Sequence, residues 1–220
     1  VLAIRRDADG AFSWGEGEGE VVDWVVQMQR LPTHLTLDVL HAQRALKTTH
    51  IDQLAQRLVE FYASLAPLAI TAAEYCSRYE AHVRGNGEAL LAVAHHLPHA
   101  MTAVVQSFQM QLLRSCPELF AARVQAGKIY DGHGDLRPEH ICFCEPLAIF
   151  DCIEFNADFR RIDVADEHAF LAAECDFIGA AWVGPHLFAR YQALSGDQPP
   201  PNLLAFYKTY RAAVRAKVAA

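Results

Sequence analysis

An α+β fold is expected for this chain, with a small β-rich opening segment followed by a large helical block. Three observations lead to it. Residues 1–30 carry strand and turn signals; beyond Pro32 apolar residues recur at three- and four-residue spacing; and from Lys128 to Asp151 the pattern returns briefly to short apolar runs. The 220 residues allow one large domain, or one domain with part of another. With 52% hydrophobic and 20% charged residues, a packed core is expected and disorder is not. The net charge of −7 argues against nucleic acid as a partner, because that needs a basic patch. No apolar run is long enough to span a membrane, and no basic segment followed by an apolar one opens the chain. A cytoplasmic protein is therefore expected, with reduced thiols at its 6 cysteines. Cys142 and Cys144 form C-x-C without a second pair, which does not make a zinc site.

The elements follow in order. Val1 to Arg6 reads as a strand and Asp9-Gly10 as a turn. Val21, Val22, Trp24, Val25 and Val26 form a dense β-branched and aromatic run, expected to be a buried strand. Between them, Gly15, Gly17 and Gly19 alternate with Glu16, Glu18 and Glu20. Those carboxylates would repel phosphate, so a solvated hairpin loop is expected there. From His50 to Leu65, Ile51, Leu54, Leu58, Phe61, Tyr62 and Leu65 share one helical face, with Thr48 or Thr49 as N-cap. Further helices are expected at about 71–84, 88–97 and 99–114, the last burying Phe108, Met110, Leu112 and Leu113. Pro117 suits the first turn of another helix, which Gly127 ends. Ile141 to Phe143 and Leu147 to Phe150 make a small hairpin, and helices return at about 163–180, 185–194 and 202–219. His95, His96 and His99 lack nearby cysteine or carboxylate partners, so they read as surface or interface residues. The first residues, Val1-Leu2-Ala3-Ile4, are already strand-like, and the last lie in an uncapped helical pattern. A piece of a longer protein is expected.

One stretch carries chemistry. Asp131-Gly132-His133-Gly134-Asp135-Leu136-Arg137-Pro138-Glu139-His140 is a loop bearing His and Asp. A hairpin follows, and then Asp151 at a strand end. Asp135 can orient a hydroxyl and accept its proton. Asp151 is a hard oxygen ligand for a divalent cation.

This layout resembles the catalytic core of protein kinases and of the aminoglycoside and choline phosphotransferases. The segment Asp151-Cys152-Ile153-Glu154-Phe155-Asn156, continuing through Arg160-Arg161-Ile162-Asp163, is similar to uncharacterised bacterial aminoglycoside-phosphotransferase-like proteins, often fused to a P-loop ATPase or kinase-like domain. The resemblance implies a protein-kinase-like fold. Residues 1–30 would be a remnant of the small β lobe and hinge, and 31–220 the helical large lobe. It implies transfer of the ATP γ-phosphoryl group to a small-molecule hydroxyl. By the same resemblance Asp135 is the base, His133 braces the loop, and Arg137 lies near the transferring phosphate. Asp151 and His140 hold Mg²⁺ or Mn²⁺, and the hinge around Gln29 and Leu31 meets adenine. Glu154, Asn156 and Asp158 follow the metal Asp; a cationic acceptor would suit the carboxylates of Glu154 and Asp158, and a solvated loop is an equal reading.

The sequence departs from the family pattern at three places. His140 stands where kinases carry Asn, and an imidazole suits Mn²⁺ better than Mg²⁺. The first lysine is Lys47, so none precedes the hinge to pair with nucleotide phosphates. Glu167, beside Asp166, occupies the position of an Asp that bonds back to the catalytic loop in the family. Two other readings stay open: a non-catalytic, pseudokinase-type module regulating a fused ATPase, and a metal-dependent hydrolase using Asp135, His140 and Asp151.

Overall fold

The computed structural model describes residues 1–93 and 99–220, and these divide into two units, Val1–Pro32 and Thr33–Ala220. His95 and His96 lie outside the described residues.

In the first unit, β1 (Leu2–Arg6), β2 (Phe12–Trp14) and β3 (Glu20–Val25) form an antiparallel sheet in the order β2-β1-β3. Asp7 makes the turn after β1. Its carboxylate accepts the N–H groups of Asp9 and Ala11, and Gly10 takes φ +83°. The hairpin is thus β1–β2. The Gly-Glu segment links β2 to β3, which occupy opposite edges, so it is a crossover and not the hairpin loop expected from sequence. Arg5 holds it down, donating to the carbonyls of Gly15 at 3.3 Å and Gly19 at 3.1 Å. The expected burial of the valine run is also corrected. Every residue of β3 is exposed, Trp24 by 62%. The run has strand propensity, but propensity does not supply a second layer to cover it, and β3 is an edge strand.

The second unit is mainly helical, and the chain as a whole is α+β. After a 3₁₀ turn at Thr33–Leu35 come α1 (Leu37–Ala42), α2 (Thr48–Ala63), α3 (Ala72–Ala92), α4 (His99–Ser115) and α5 (Pro117–Gln125). Strand β4 (Ile129–Asp131), a 3₁₀ turn at Pro138–His140, and the two-residue strands β5 (Ile141–Cys142) and β6 (Ala148–Ile149) follow. A 3₁₀ turn at Ala157–Phe159 and β7 (Arg161–Asp163) lead to α6 (Val164–Phe177), α7 (Val183–Ser195) and α8 (Pro201–Ala219).

Sequence periodicity placed most of these helices and missed details that packing decides. Lys47, not a threonine, precedes α2, and its N–H donates to His50 Nδ1 at 3.1 Å. The two helices expected at 71–84 and 88–97 are the single α3, started by a capping box between Thr71 and Glu74. Gly87 interrupts the apolar pattern because α4 crosses there; a Cβ would run into the Gln106 side chain. On α4, Gln109 and Leu113 face inward, while Phe108, expected in the core, is 38% exposed. The antiparallel pair β4–β7, with Ile129 opposite Asp163, has no local sequence signal.

Two apolar clusters form the interior. One gathers Leu54 and Leu58 of α2, Leu187 of α7, and Leu136 and Ile141. The other gathers Tyr75 and Tyr79 of α3, Phe120 of α5, and Phe206 and Tyr207 of α8. Helix α6 contributes to both, and 11 of its 14 residues are buried. On a helix enclosed on all sides, a polar group costs stability unless it finds a partner. On that helix Glu167 finds its partner in the chemistry-bearing loop, and Asp166 finds its partners in Arg211 and Tyr79.

Candidate active site

The loop leaves β4 at Asp131 and returns through the 3₁₀ turn into β5. Glycine is required at position 134. The backbone there has φ +82°, and a Cβ would approach the Phe159 carbonyl oxygen to 2.9 Å. Arg160 pins both ends of the site, pairing with Asp131 at 2.8 Å and donating to the Ile153 carbonyl at 2.6 Å.

His133 ties the loop to the chain around Asp151. Its Nε2 donates to the Phe150 carbonyl at 2.7 Å, which leaves Nδ1 to accept the Asp135 N–H at 3.3 Å. Its own carbonyl accepts the Ile153 N–H at 3.1 Å. The ring is therefore held neutral, and burial lowers its pKa below the ordinary value.

His140 lies between the two aspartates. Its Nδ1 is 2.9 Å from the Asp135 carbonyl oxygen and 3.6 Å from Asp135 Oδ2. With Nδ1–H donating to that carbonyl, Nε2 faces Asp151 Oδ2 at 3.3 Å. The His140 side chain is 9% exposed, Asp135 31% and Asp151 73%. Both carboxylates are thus open to a ligand while the imidazole between them is held in place. Asp151 has φ +62°, in the left-handed region that few non-glycine residues enter and that aspartate enters more readily than most.

Among the described residues no three His, Cys, Asp or Glu side chains converge as a complete metal cluster. His140 Nε2 and Asp151 Oδ2 supply two donors. That fits a divalent cation which takes its other ligands from phosphate oxygens and water. Arg137 is engaged on both sides, by Glu139 and, at 3.3 Å, by Glu174. Its charge is therefore shared with carboxylates before any phosphate arrives. Gln29 and Leu31 lie in the first unit, in irregular chain after β3, Gln29 exposed and Leu31 half-buried. The structure brings Asp135, His140 and Asp151 together, with His133 bracing them.

Helix α6 supports the loop from beneath. Glu167 Oε1 accepts the Gly134 N–H at 2.6 Å, and Tyr62 donates its hydroxyl to Oε2. Full burial pushes the Glu167 carboxyl up to about 7, against the lowering effects of the Gly134 bond and the Arg211 charge. Asp166 reaches the loop indirectly. It binds Arg211 through both oxygens at 2.7 Å and accepts the Tyr79 hydroxyl at 2.6 Å, while Arg211 donates to the Gly134 carbonyl at 3.2 Å. Asp163 caps α6 and is clasped by Arg123, which also binds Asp197 at 2.5 Å. Tyr79, Arg123, Asp197 and Arg211 escaped the sequence reading, which takes Tyr62 only as core. Arg211 continues the buried Leu203–Tyr207 stripe of α8 at four-residue spacing. A cation on an apolar face implies a buried partner.

Beside Asp135 and Arg137 lies a cavity of about 650 Å³, walled by α3, α8 and residues 153–159.

Proteins of Mycobacterium bovis and of two strains of Mycobacterium tuberculosis, each described as uncharacterized, are 45% identical to this chain over 102 residues. The match takes in 46% of this chain and 20% of the length of each relative. No family model matches the chain, and no solved structure does.

Proposed function

We propose that this chain carries the catalytic loop of a protein-kinase-like phosphotransferase of the aminoglycoside phosphotransferase type. The protein it belongs to would move the γ-phosphoryl group of ATP to a hydroxyl of a small molecule. One observation supports the reading most: two open carboxylates, Asp135 and Asp151, flank a held imidazole whose Nε2 faces Asp151.

Phosphoryl transfer asks the protein for positioning and electrostatics more than for covalent chemistry. Asp135 orients the acceptor hydroxyl and takes its proton. His133 and Glu167 keep the Asp135 loop in register. His140 Nε2 and Asp151 would hold Mg²⁺ or Mn²⁺, which supplies charge neutralisation at the phosphates when bound. Arg137 completes the cationic side, and the backbone near Gln29 and Leu31 would meet the adenine. A fused P-loop ATPase domain is part of the same proposal.

His140, standing where kinases carry Asn, favours a second reading: a regulatory module that binds nucleotide without turnover. The test is Asp135→Asn in the full-length protein. Phosphotransfer should lose kcat by at least ~10²-fold, the scale of a missing general base, with nucleotide affinity kept. An unchanged kcat would show that Asp135 is not the base. Nucleotide binding without turnover in the native protein, whatever acceptor and metal are offered, would select the regulatory reading.

A further inference from the structure

The cavity beside Asp135 has a charge balance of its own. Among its lining residues Asp166 is neutralised by Arg211 at 2.7 Å, and Asp158 is paired with Arg161 at 3.1 Å. Arg137 and Arg215 converge on Glu174 at 3.3 and 3.0 Å. Asp135 is a lining carboxylate with no lysine or arginine partner among the described residues, only His140 at 3.6 Å, and against it two cations, Arg78 and Lys217, have no carboxylate partner there. Arg78 donates to the carbonyls of Asp158 and Arg161 and lies over the Tyr75 ring at 5.3 Å. Lys217 Nζ donates to Asn86 Oδ1 at 2.8 Å. Both line the cavity, in a protein whose net charge is −7.

The hydrogen-bond balance has the same sign. Arg78 Nε and Asn86 Nδ2 are buried and have no partner among the described residues; both are donors. Asn86 is 3% exposed, so bulk water does not relieve its amide. Orphaned donors beside uncompensated cations call for an acceptor that carries negative charge. His82, in the same wall, has its pKa lowered, first by burial and then by Arg78, Arg211 and Lys217, which reports the same positive field. Ile153, Phe159, Ile162 and Phe170 give the lining an apolar stretch.

Resting on the phosphotransferase reading, we infer that the acceptor held in this cavity is an anionic hydroxyl compound with an apolar body. Its carboxylate or phosphate is recognised by Arg78, Lys217 and the Asn86 amide. This reverses the charge expected from Glu154, Asn156 and Asp158. Glu154 is not part of the lining, Asn156 caps the 3₁₀ turn by accepting the Asp158 N–H at 2.9 Å, and Asp158 is spent on Arg161.

The test is direct binding to the full-length protein without nucleotide, by calorimetry. The probes share one apolar body: phenyl phosphate, 3-phenylpropionate and phenethylamine. One or both anions should bind about tenfold or more tighter than the amine, the scale of one charge-assisted hydrogen bond. The stronger of the two separates phosphate from carboxylate as the recognised group. Arg78→Gln and Lys217→Gln should each weaken anion binding about tenfold, while Arg78→Lys, which keeps the charge, should lose less. A thermal melt of each variant confirms that it is folded. Amine binding equal to that of both anions, no binding of either anion at millimolar concentration, or folded variants with native anion affinity would each overturn the inference. These readouts involve neither ATP nor turnover, so they fail separately from the Asp135→Asn experiment.

Discussion

His140 uses its two ring nitrogens differently. One is fixed to the backbone of the Asp135 loop and the other faces Asp151. In His140→Asn, the amide N–H can replace the first contact and the amide oxygen can face Asp151. Activity of the full-length protein in Mg²⁺ relative to Mn²⁺ should then rise by about tenfold, the scale on which a metal's surroundings alter its binding. An unchanged ratio removes His140 from the ligand set. Glu167 gives a pH prediction. Its folded pKa of about 7 stands above the ordinary 4.5. The folded chain therefore retains a proton there that the unfolded chain releases. This contribution to stability is complete below about 4.5 and is lost as pH rises through about 7. Glu167→Gln keeps an acceptor for Gly134 and cannot titrate. Melts at pH 5 and pH 8 should show the variant gaining on the native protein at the higher pH. A difference that stays constant with pH would remove Glu167 as the titrating group.

The buried charges work between elements. Arg123 of α5 joins the N-cap of α6 to Asp197, between α7 and α8, through four hydrogen bonds. Asp163 is fully buried and Asp197 nearly so, so removing the guanidinium strands two carboxylates. Arg123→Met should cost about 3–5 kcal/mol, the usual scale for leaving an uncompensated buried charge. Denaturant unfolding measures it, and a loss below about 1 kcal/mol would mean the carboxylates find other partners. None of these pairings could be read locally, because Arg123 is 40 residues from Asp163 and 74 from Asp197. The helices that carry them were legible, since apolar spacing is a local property. The fusion of two expected helices into α3 was not, because the Gly87 position answers to α4.

Across the whole chain, stability is distributed unevenly. Ala3 is the one buried residue of Val1–Pro32, whereas α6 in the second unit is enclosed by both apolar clusters. Backbone amides open locally where few apolar contacts hold them. Hydrogen exchange should therefore run at least about 10²-fold faster in residues 2–25 than in 164–175. Equal protection would show that β1–β3 share the stability of the helical unit.

The sequence by itself determined the α+β class, most helix positions, and the short loop and hairpin that carry His133, Asp135, His140 and Asp151. These rest on periodicity, turn chemistry and spacing within about twenty residues, which a chain displays before it folds. Tertiary structure alone decided the β4–β7 pairing, the exposure of β3, the clasp of Arg123 and Arg211, and the sign of the cavity's charge. Each depends on which distant residues become neighbours. A carboxylate such as Asp158 counts toward a site's charge only if no arginine has claimed it, and that is settled by packing.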